Sequence, residues 1–572
     1  MNIVNKISIF IKKYYPELIL ITLALLLGIF FSWYVKSIGM TAIIVDQNSH
    51  LNLSRQVVDS MTTGLSQIGF WPPLLHLVML PFVSIKYLYH SGLAGAFTLI
   101  PFLCMSVFFL YKLLFVFTKN KGISFFGCIL FMLNPYILYY SVTPMMEILF
   151  IANLFAVGYF FSLWLYTNKL KFLIFTGLFI TLASVSRFEG ILLVPMVSLF
   201  LILNSYKQKK KYKEIEALII LFGFVASLGI LFIFMFGWVY GNNPLAFMNS
   251  DWSAYAQQRD YYLPTEHSVF HSLQYMLHAS FHMIGKWEIV VGLISLVISV
   301  FLLRSLKFIF VSLILSISFI FDSLALYRGN AIIYVPELAP FDTFFNERYG
   351  LYWIGLIIFA TLVVLNYLIV KIIPKNKRIF KIFLYVVVLT PLFILNAIFF
   401  YTTCFINKYE VIRMTAQDYP TNDQINISEK LKENYDYGKI LITRALHDFV
   451  VVNAGIDLKN YVHESNYKYY DQALERPWLF ARWIVMYNPE NNDAGNWSKS
   501  NEKISAQWGN SEMFDQYYTL VEKNKREVLY KVKEEAVRDY AKSRGLNEFQ
   551  IPSIGSSITW WDVDNIYQKM GW

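Results

Sequence analysis

Long apolar runs separated by short polar breaks fill the first 404 residues. A helix needs about 20 mostly apolar residues to cross a bilayer. The runs that meet or approach this are 15–37, 93–117, 122–142, 147–167, 171–186, 190–204, 215–238, 287–303, 308–327, 350–370 and 380–403. They predict an α-helical polytopic membrane protein with about eleven transmembrane helices, and a transmembrane domain over 1–404. A further run, Leu74 to Leu88 after Pro72 and Pro73, is ambiguous between a span and a juxtamembrane helix. The breaks leave external loops at about 38–92, 239–286 and 328–349. From 405 to 572 the pattern changes. Strand-like runs occur at Lys439–Thr443 and Arg482–Tyr487, a hairpin is expected from Tyr518 to Val532 around Lys523–Lys525, and helix-like stretches lie between. This predicts a small α/β domain.

Composition agrees with lipid as the solvent. Of 572 residues 56% are hydrophobic and only 15% charged, against about 25% charged in soluble proteins. The formal net charge of +10 is carried by short Lys and Arg clusters between apolar runs, so it reads as a topology signal and not as a nucleic-acid surface. If 74–88 does not cross, Lys6, Lys12 and Lys13 share a side with Lys119, Lys121, Lys169, Lys171, the 207–213 lysines, Arg304, Lys307 and the 371–378 cluster. Every cluster is then cytoplasmic, as the positive-inside rule asks. The expected topology is N-in and C-out, with 74–88 flat at the outer interface and 405–572 extracytoplasmic. Leu18 to Val35 lacks a small-residue cleavage site and reads as an uncleaved first span. The three cysteines form no disulfide framework.

Charged residues at the outer ends of the spans are the candidate chemistry. Asp46 follows the first span, and Glu147 stands in Thr-Pro-Met-Met-Glu. Arg187 and Glu189 occur in Ser-Arg-Phe-Glu-Gly, and Arg348 in Asn-Glu-Arg-Tyr-Gly. The two arginines break the positive-inside pattern. Arg187 is held there either by an anionic ligand or by a salt bridge to Glu189 or Glu147. A guanidinium fork suits a lipid phosphate. His267, His271, His278 and His282 fall within about 60° of one helical face. They read as the polar face of an interfacial helix, with a metal site as the sharper alternative. Trp560-Trp561-Asp562 lies too near the C-terminus to be read as an oligosaccharyltransferase signature.

The order of these features resembles the GT-C integral-membrane glycosyltransferases, such as the protein O-mannosyltransferases and the lipid A aminoarabinose transferase. An acidic residue follows span one, a Pro-Pro segment leads a juxtamembrane helix, and another acidic residue follows span three. Leu133-Asn134-Pro135 through Glu147, Ser186 to Gly190, Asp46 with His50, Gly69-Phe70-Trp71-Pro72-Pro73-Leu74 and Glu347-Arg348-Tyr349-Gly350 carry the likeness, which covers about 1–360. Two departures concern the acceptor and any metal: Gln47 stands where many members have a second acid, and Phe70-Trp71 stands where the aminoarabinose transferase has Glu-Lys. The resemblance implies an inverting, cell-envelope glycosyltransferase that takes a polyprenyl-phosphate sugar from the membrane lipids and glycosylates an extracytoplasmic glycan, lipid or protein hydroxyl. It implies Asp46 as base, and Glu147 as its support, as acceptor positioner or as ligand to a divalent cation; no other cofactor is required. Arg348 and Arg187 would hold the donor phosphate, with His50, Glu189, Tyr349 and Trp71 completing the substrate site. Trp252 and Tyr255 offer further flat faces for sugar or prenyl chain. A transporter or flippase for a lipid-linked glycan, or a polysaccharide polymerase, is the alternative.

Overall fold

The computed structural model describes residues 3–69, 71–250, 253–258, 261–338, 344–374, 377–407, 422–491 and 495–543. Trp252 and the Trp560-Trp561-Asp562 string lie outside them. The chain divides into two compact units: Met1–Thr41, Pro72–Val78 and Gly95–Gln417 form one, and Ala42–Trp71, Met79–Ala94 and Asp418–Trp572 the other.

The first unit is helical and apolar, as the hydrophobic runs require, and the chain is a multi-pass membrane protein. Among the described residues six helices are long and apolar enough to cross a membrane: Lys13–Ser37, Leu93–Thr118, Glu147–Thr167, Phe188–Lys207, Glu347–Ile372 and Ile379–Ile406. Three more candidates are bent pairs. Tyr212–Ala226 and Leu228–Gly241 meet at 45°, Val269–Ile284 and Lys286–Leu302 at 119°, and Leu306–Leu315 and Ile317–Tyr327 at 51°. The remaining two expected spans, 122–142 and 171–186, contain the shorter apolar helices Lys121–Met132 and Leu170–Ser184. The first of these stops where Asn134 caps a new helix, accepting from the backbone N–H of Tyr136 and Ile137 at 3.0 Å each, with Pro135 at the first helical position. The expected loop 239–286 is not all loop, because it carries the helix Val269–Ile284.

The second unit holds a five-stranded sheet: β1 Ile440–Ile442, β2 Tyr461–Val462, β3 Trp483–Tyr487, β4 Tyr518–Lys523 and β5 Glu527–Val532. The order is β2-β1-β3-β5-β4. β1 runs parallel to β2 and β3, while β5 is antiparallel to β3 and β4. All of β1 and β3 is buried, which is why these strands read as continuous apolar runs. Leu441, Ile484, Met486, Trp478, Phe480 and Val528 fill the core, and Met61 packs against it. Much of the first loop, Ala42–Trp71 and Met79–Ala94, clusters with Asp418–Trp572. Asp59 accepts from the backbone N–H of Leu458 and Lys459 at 3.3 Å each. Asn466 donates to Ser60 and Thr62 at 3.0 Å each.

Candidate functional site

In the membrane unit three short turns bring four charged residues together. Glu147 begins the helix Glu147–Thr167. Arg187 and Glu189 occupy the turn into the 3-10 segment Phe188–Leu192. Arg348 lies in the 3-10 segment Glu347–Trp353. Two glycines let these turns approach the neighbouring helices. A Cβ on Gly190 would stand 2.5 Å from the backbone of Ala183 and Ser184, and one on Gly350 would stand 2.4 Å from the backbone of Ala279 and Ser280. Only glycine permits such contact. The Pro-Pro segment joins the same region, because the Leu74 N–H donates to the Val185 carbonyl at 3.0 Å. Asn134 ties in another motif by donating to the Met283 carbonyl at 2.8 Å.

Glu147 is 1% exposed and has both guanidiniums nearby. Its Oε1 is 3.7 Å from Arg187 Nη1 and 3.8 Å from Arg348 Nε. Arg187 also bonds Glu189 at 2.6 Å, so both salt bridges weighed for it are present. The Arg187 guanidinium lies over the rings of Tyr352 and Tyr349, 4.9 and 5.5 Å from their centroids. These cation–π contacts help hold a cation away from bulk water. Charge buried beside lipid is retained only when paired in this way.

Sequence reasoning did not find Asp322, which lies in the apolar helix Ile317–Tyr327, is 3% exposed and is within electrostatic reach of Glu189, Arg187 and Arg348. Its signal was an acid inside a predicted span; attention to span ends passed over it. The histidine stripe is also resolved in part. His267 has a left-handed φ of 57° and stands outside the helix. His282 sits between two carboxylates, with Nδ1 2.8 Å from Glu347 and Nε2 2.9 Å from Glu337. It thereby contacts the residue beside Arg348. Among the described residues no three His, Cys, Asp or Glu side chains are grouped as metal ligands would be.

The other candidates lie in the second unit. Asp46 and His50 are one turn apart on the helix Val45–Arg55, and Asp46 is half-buried. His50 is buried and meets Trp71 edge-on, with ring centroids 4.6 Å apart. Gln47, the departure from a second acid, is fully buried. Its carbonyl oxygen accepts from the backbone N–H of Ile43 and Ile44 at 3.0 and 3.1 Å. A carboxylate is therefore not needed there to start the helix. Tyr255 belongs to the first unit and is 52% exposed.

Comparison with known proteins follows the same line. Residues 74–230 match the family described as dolichyl-phosphate-mannose-protein mannosyltransferase. No curated protein sequence matches the chain. Among solved structures, ArnT from Cupriavidus metallidurans bound to undecaprenyl phosphate is similar at a TM-score of 0.55 and 12% identity, over 91% of this chain and 98% of that one. The apo state of that protein gives 0.52 and 10%, with the same coverage. The archaeal oligosaccharyltransferase AglB from Archaeoglobus fulgidus gives 0.48 and 10%, over 89% of this chain and 73% of that one. The family match is confined to 74–230, and the likeness to ArnT shows a shared fold over most of both chains.

Proposed function

We propose that this chain moves a sugar from a polyprenyl-phosphate donor to a hydroxyl outside the cytoplasm, with inversion at the anomeric carbon. The observation that carries this reading is the convergence of Arg187 and Arg348 on the buried Glu147. Two guanidiniums beside one another make a strong receptor for a phosphate, since each fork can donate two hydrogen bonds. A small cleft with mostly apolar walls lies along the helix that follows the Arg348 turn. Ile354, Ile357 and Ile358, which follow the Arg348 turn directly, line it with Leu130, Ile284 and Leu392. A solved ArnT structure holds undecaprenyl phosphate, a ligand of this class.

The chemistry needs few groups. The acceptor oxygen bonds to the anomeric carbon as the bond from that carbon to the phosphate oxygen breaks. The electron pair leaves on the polyprenyl phosphate, whose growing charge Arg348 and Arg187 stabilise. The acceptor proton passes to a base, assigned to Asp46. One displacement with one base inverts the anomeric centre. Glu147 holds the two guanidiniums in register. The domain from 405 lies outside the cytoplasm in this reading, with the N-terminus inside and eleven spans between.

The test is to incubate the purified protein in lipid with radiolabelled polyprenyl-phosphate sugars. Transfer to an acceptor, or slow release of free sugar when none is supplied, is the expected result. Movement of the intact lipid-linked sugar across the bilayer with no bond cleaved would replace the enzyme by a transporter.

A further inference from the structure

Three acidic side chains, Glu147, Glu189 and Asp322, stand around the two guanidiniums of Arg187 and Arg348. The phosphate of a glycosyl phosphate brings acceptors and no donor, so the third acidic side chain is not explained by the phosphate. Nor is it needed to neutralise Arg187, which already has Glu189 at 2.6 Å.

Two oxygens of this cluster lack a donor. Glu147 Oε2 and Asp322 Oδ2 are buried and, among the described residues, have no hydrogen-bond partner. Their residues are 1% and 3% exposed. A buried acceptor left without a donor is costly, and such groups persist where a ligand or water completes them. The Asp322 helix packs against both the Phe188–Leu192 and Glu347–Trp353 turns, so Asp322 is placed among the groups assigned to the phosphate. On a glycosyl phosphate the available donors are on the sugar.

We propose that Asp322, with Glu147, reads the donor sugar: their buried oxygens accept hydrogen bonds from hydroxyl or ammonium groups of the sugar whose phosphate Arg187 and Arg348 hold. This deepens the donor reading above and rests on it. Arginines recognise what all such donors share, and Asp322 recognises what distinguishes them. A carboxylate suits this task because its acceptor geometry penalises a sugar whose donor is missing or inverted.

The experiment measures binding of bare undecaprenyl phosphate and of the same lipid carrying different hexoses or an amino sugar, to the full-length protein in lipid nanodiscs. In the wild type one sugar should add about tenfold or more to the affinity of the bare lipid. In Asp322→Asn, bare-lipid affinity should stay within about twofold while the gain from the sugar falls about tenfold. Preference for the amino sugar would identify an ammonium donor, and preference for a hexose a hydroxyl. Equal loss for bare and loaded lipid in a folded Asp322→Asn protein would make Asp322 structural and overturn the proposal, as would an undiminished gain. If Asp322→Asn does not fold, Asp322→Glu, which moves the acceptor by one methylene, should reorder the sugar preference with bare-lipid binding intact. An unchanged order would likewise overturn the proposal. A wild-type protein that binds neither form would defeat the donor reading itself and this proposal with it.

Discussion

The side-chain amide of Asn52 donates to Asp448 at two places, to the carboxylate at 2.5 Å and to the backbone carbonyl at 3.1 Å. Ser49 donates to the other carboxylate oxygen at 2.5 Å, and Arg444 pairs with Asp448 at 2.6 Å. Tyr89 completes the network through the Asn52 carbonyl oxygen. Asn52, Tyr89, Arg444 and Asp448 are all buried. This network seats the helix that bears Asp46 on the C-terminal part of the second unit.

Removing one partner from such a network leaves a buried charge poorly compensated. Asp448→Ala leaves Arg444 with the more distant Glu464, 3.7 Å away, and should cost about 3 kcal/mol. Ser49→Ala removes one hydrogen bond and should cost about 0.5–1.5 kcal/mol. Thermal unfolding of the full-length protein checks the ranking. Equal melting temperatures for wild type and Asp448→Ala would mean that the network contributes nothing.

Glycine at 350 is required by contact with a neighbouring helix. Gly350→Ala must push the Arg348 turn away from the backbone of Ala279 and Ser280. Overpacking of this kind costs about 1–3 kcal/mol. The prediction is a lower melting temperature together with weaker lipid-phosphate binding, measured in the same detergent. A neutral result in both would show that the turn can yield without cost.

Much of this was legible in the residues, for reasons that differ by element. β1 and β3 announced themselves because strands buried on both faces are apolar throughout, and the β4–β5 hairpin because the polar turn Lys523–Lys525 separates two short mixed runs. β2 has only Tyr461 and Val462, too few positions for any period to appear. The union of residues 42–71 with the tail carries no local sign, since Asn52 and Asp448 are 396 residues apart. The order of charged span ends pointed to Glu147, Arg187, Glu189 and Arg348, whose convergence needed the fold. Asp322 was visible as an acid in an apolar run, but periodicity gives no reason to join it to Arg187.

The second unit should become less stable as pH rises from about 4.5 to about 7. Burial pushes the Glu502 carboxyl up from 4.5 to about 7, with His447 nearby pulling the other way. The folded state therefore binds a proton that the unfolded chain has released in this window. Stability is greatest below the unfolded value, falls through the window, and is flat above it. The shift corresponds to roughly 3 kcal/mol. Glu502→Gln keeps an acceptor for the Ser505 N–H, now 2.6 Å from Glu502, and removes the titration. Melting temperatures of the full-length variant should lose this slope. A slope unchanged in Glu502→Gln would assign it to other groups.

Arg348 should not be replaceable by lysine. Its Nε faces Glu147, and a planar guanidinium fork can in general serve two anions at once. Lysine offers a point charge and cannot do both. Arg348→Ala and Arg348→Lys should each weaken undecaprenyl-phosphate binding by about 10- to 100-fold, the range expected for hydrogen bonds to a charged group. Affinity in Arg348→Lys equal to wild type would leave charge alone as the requirement.

Asp46→Asn tests the base. A carboxylate just past a span has an ordinary explanation, that it caps the next helix, and asparagine would serve there equally well. Asp46 does not fill that role. It lies in the first turn of Val45–Arg55, and the Gln47 side chain takes the backbone N–H groups of Ile43 and Ile44. One structural contribution of Asp46 is the attraction between a negative side chain and a helix N-terminus, about 0.3–1 kcal/mol. Asp46→Asn should lower stability by about this much. Its effect on turnover should be far larger, because an amide cannot take the acceptor proton: roughly two to four orders of magnitude, the scale of general-base catalysis. Donor binding should be unchanged, since the base meets only the acceptor. Steady-state turnover and undecaprenyl-phosphate affinity, measured on one preparation, separate these effects. Turnover within a few-fold of wild type would remove Asp46 as the base and make Glu147, whose Oε2 has no hydrogen-bond partner among the described residues, the next residue to test.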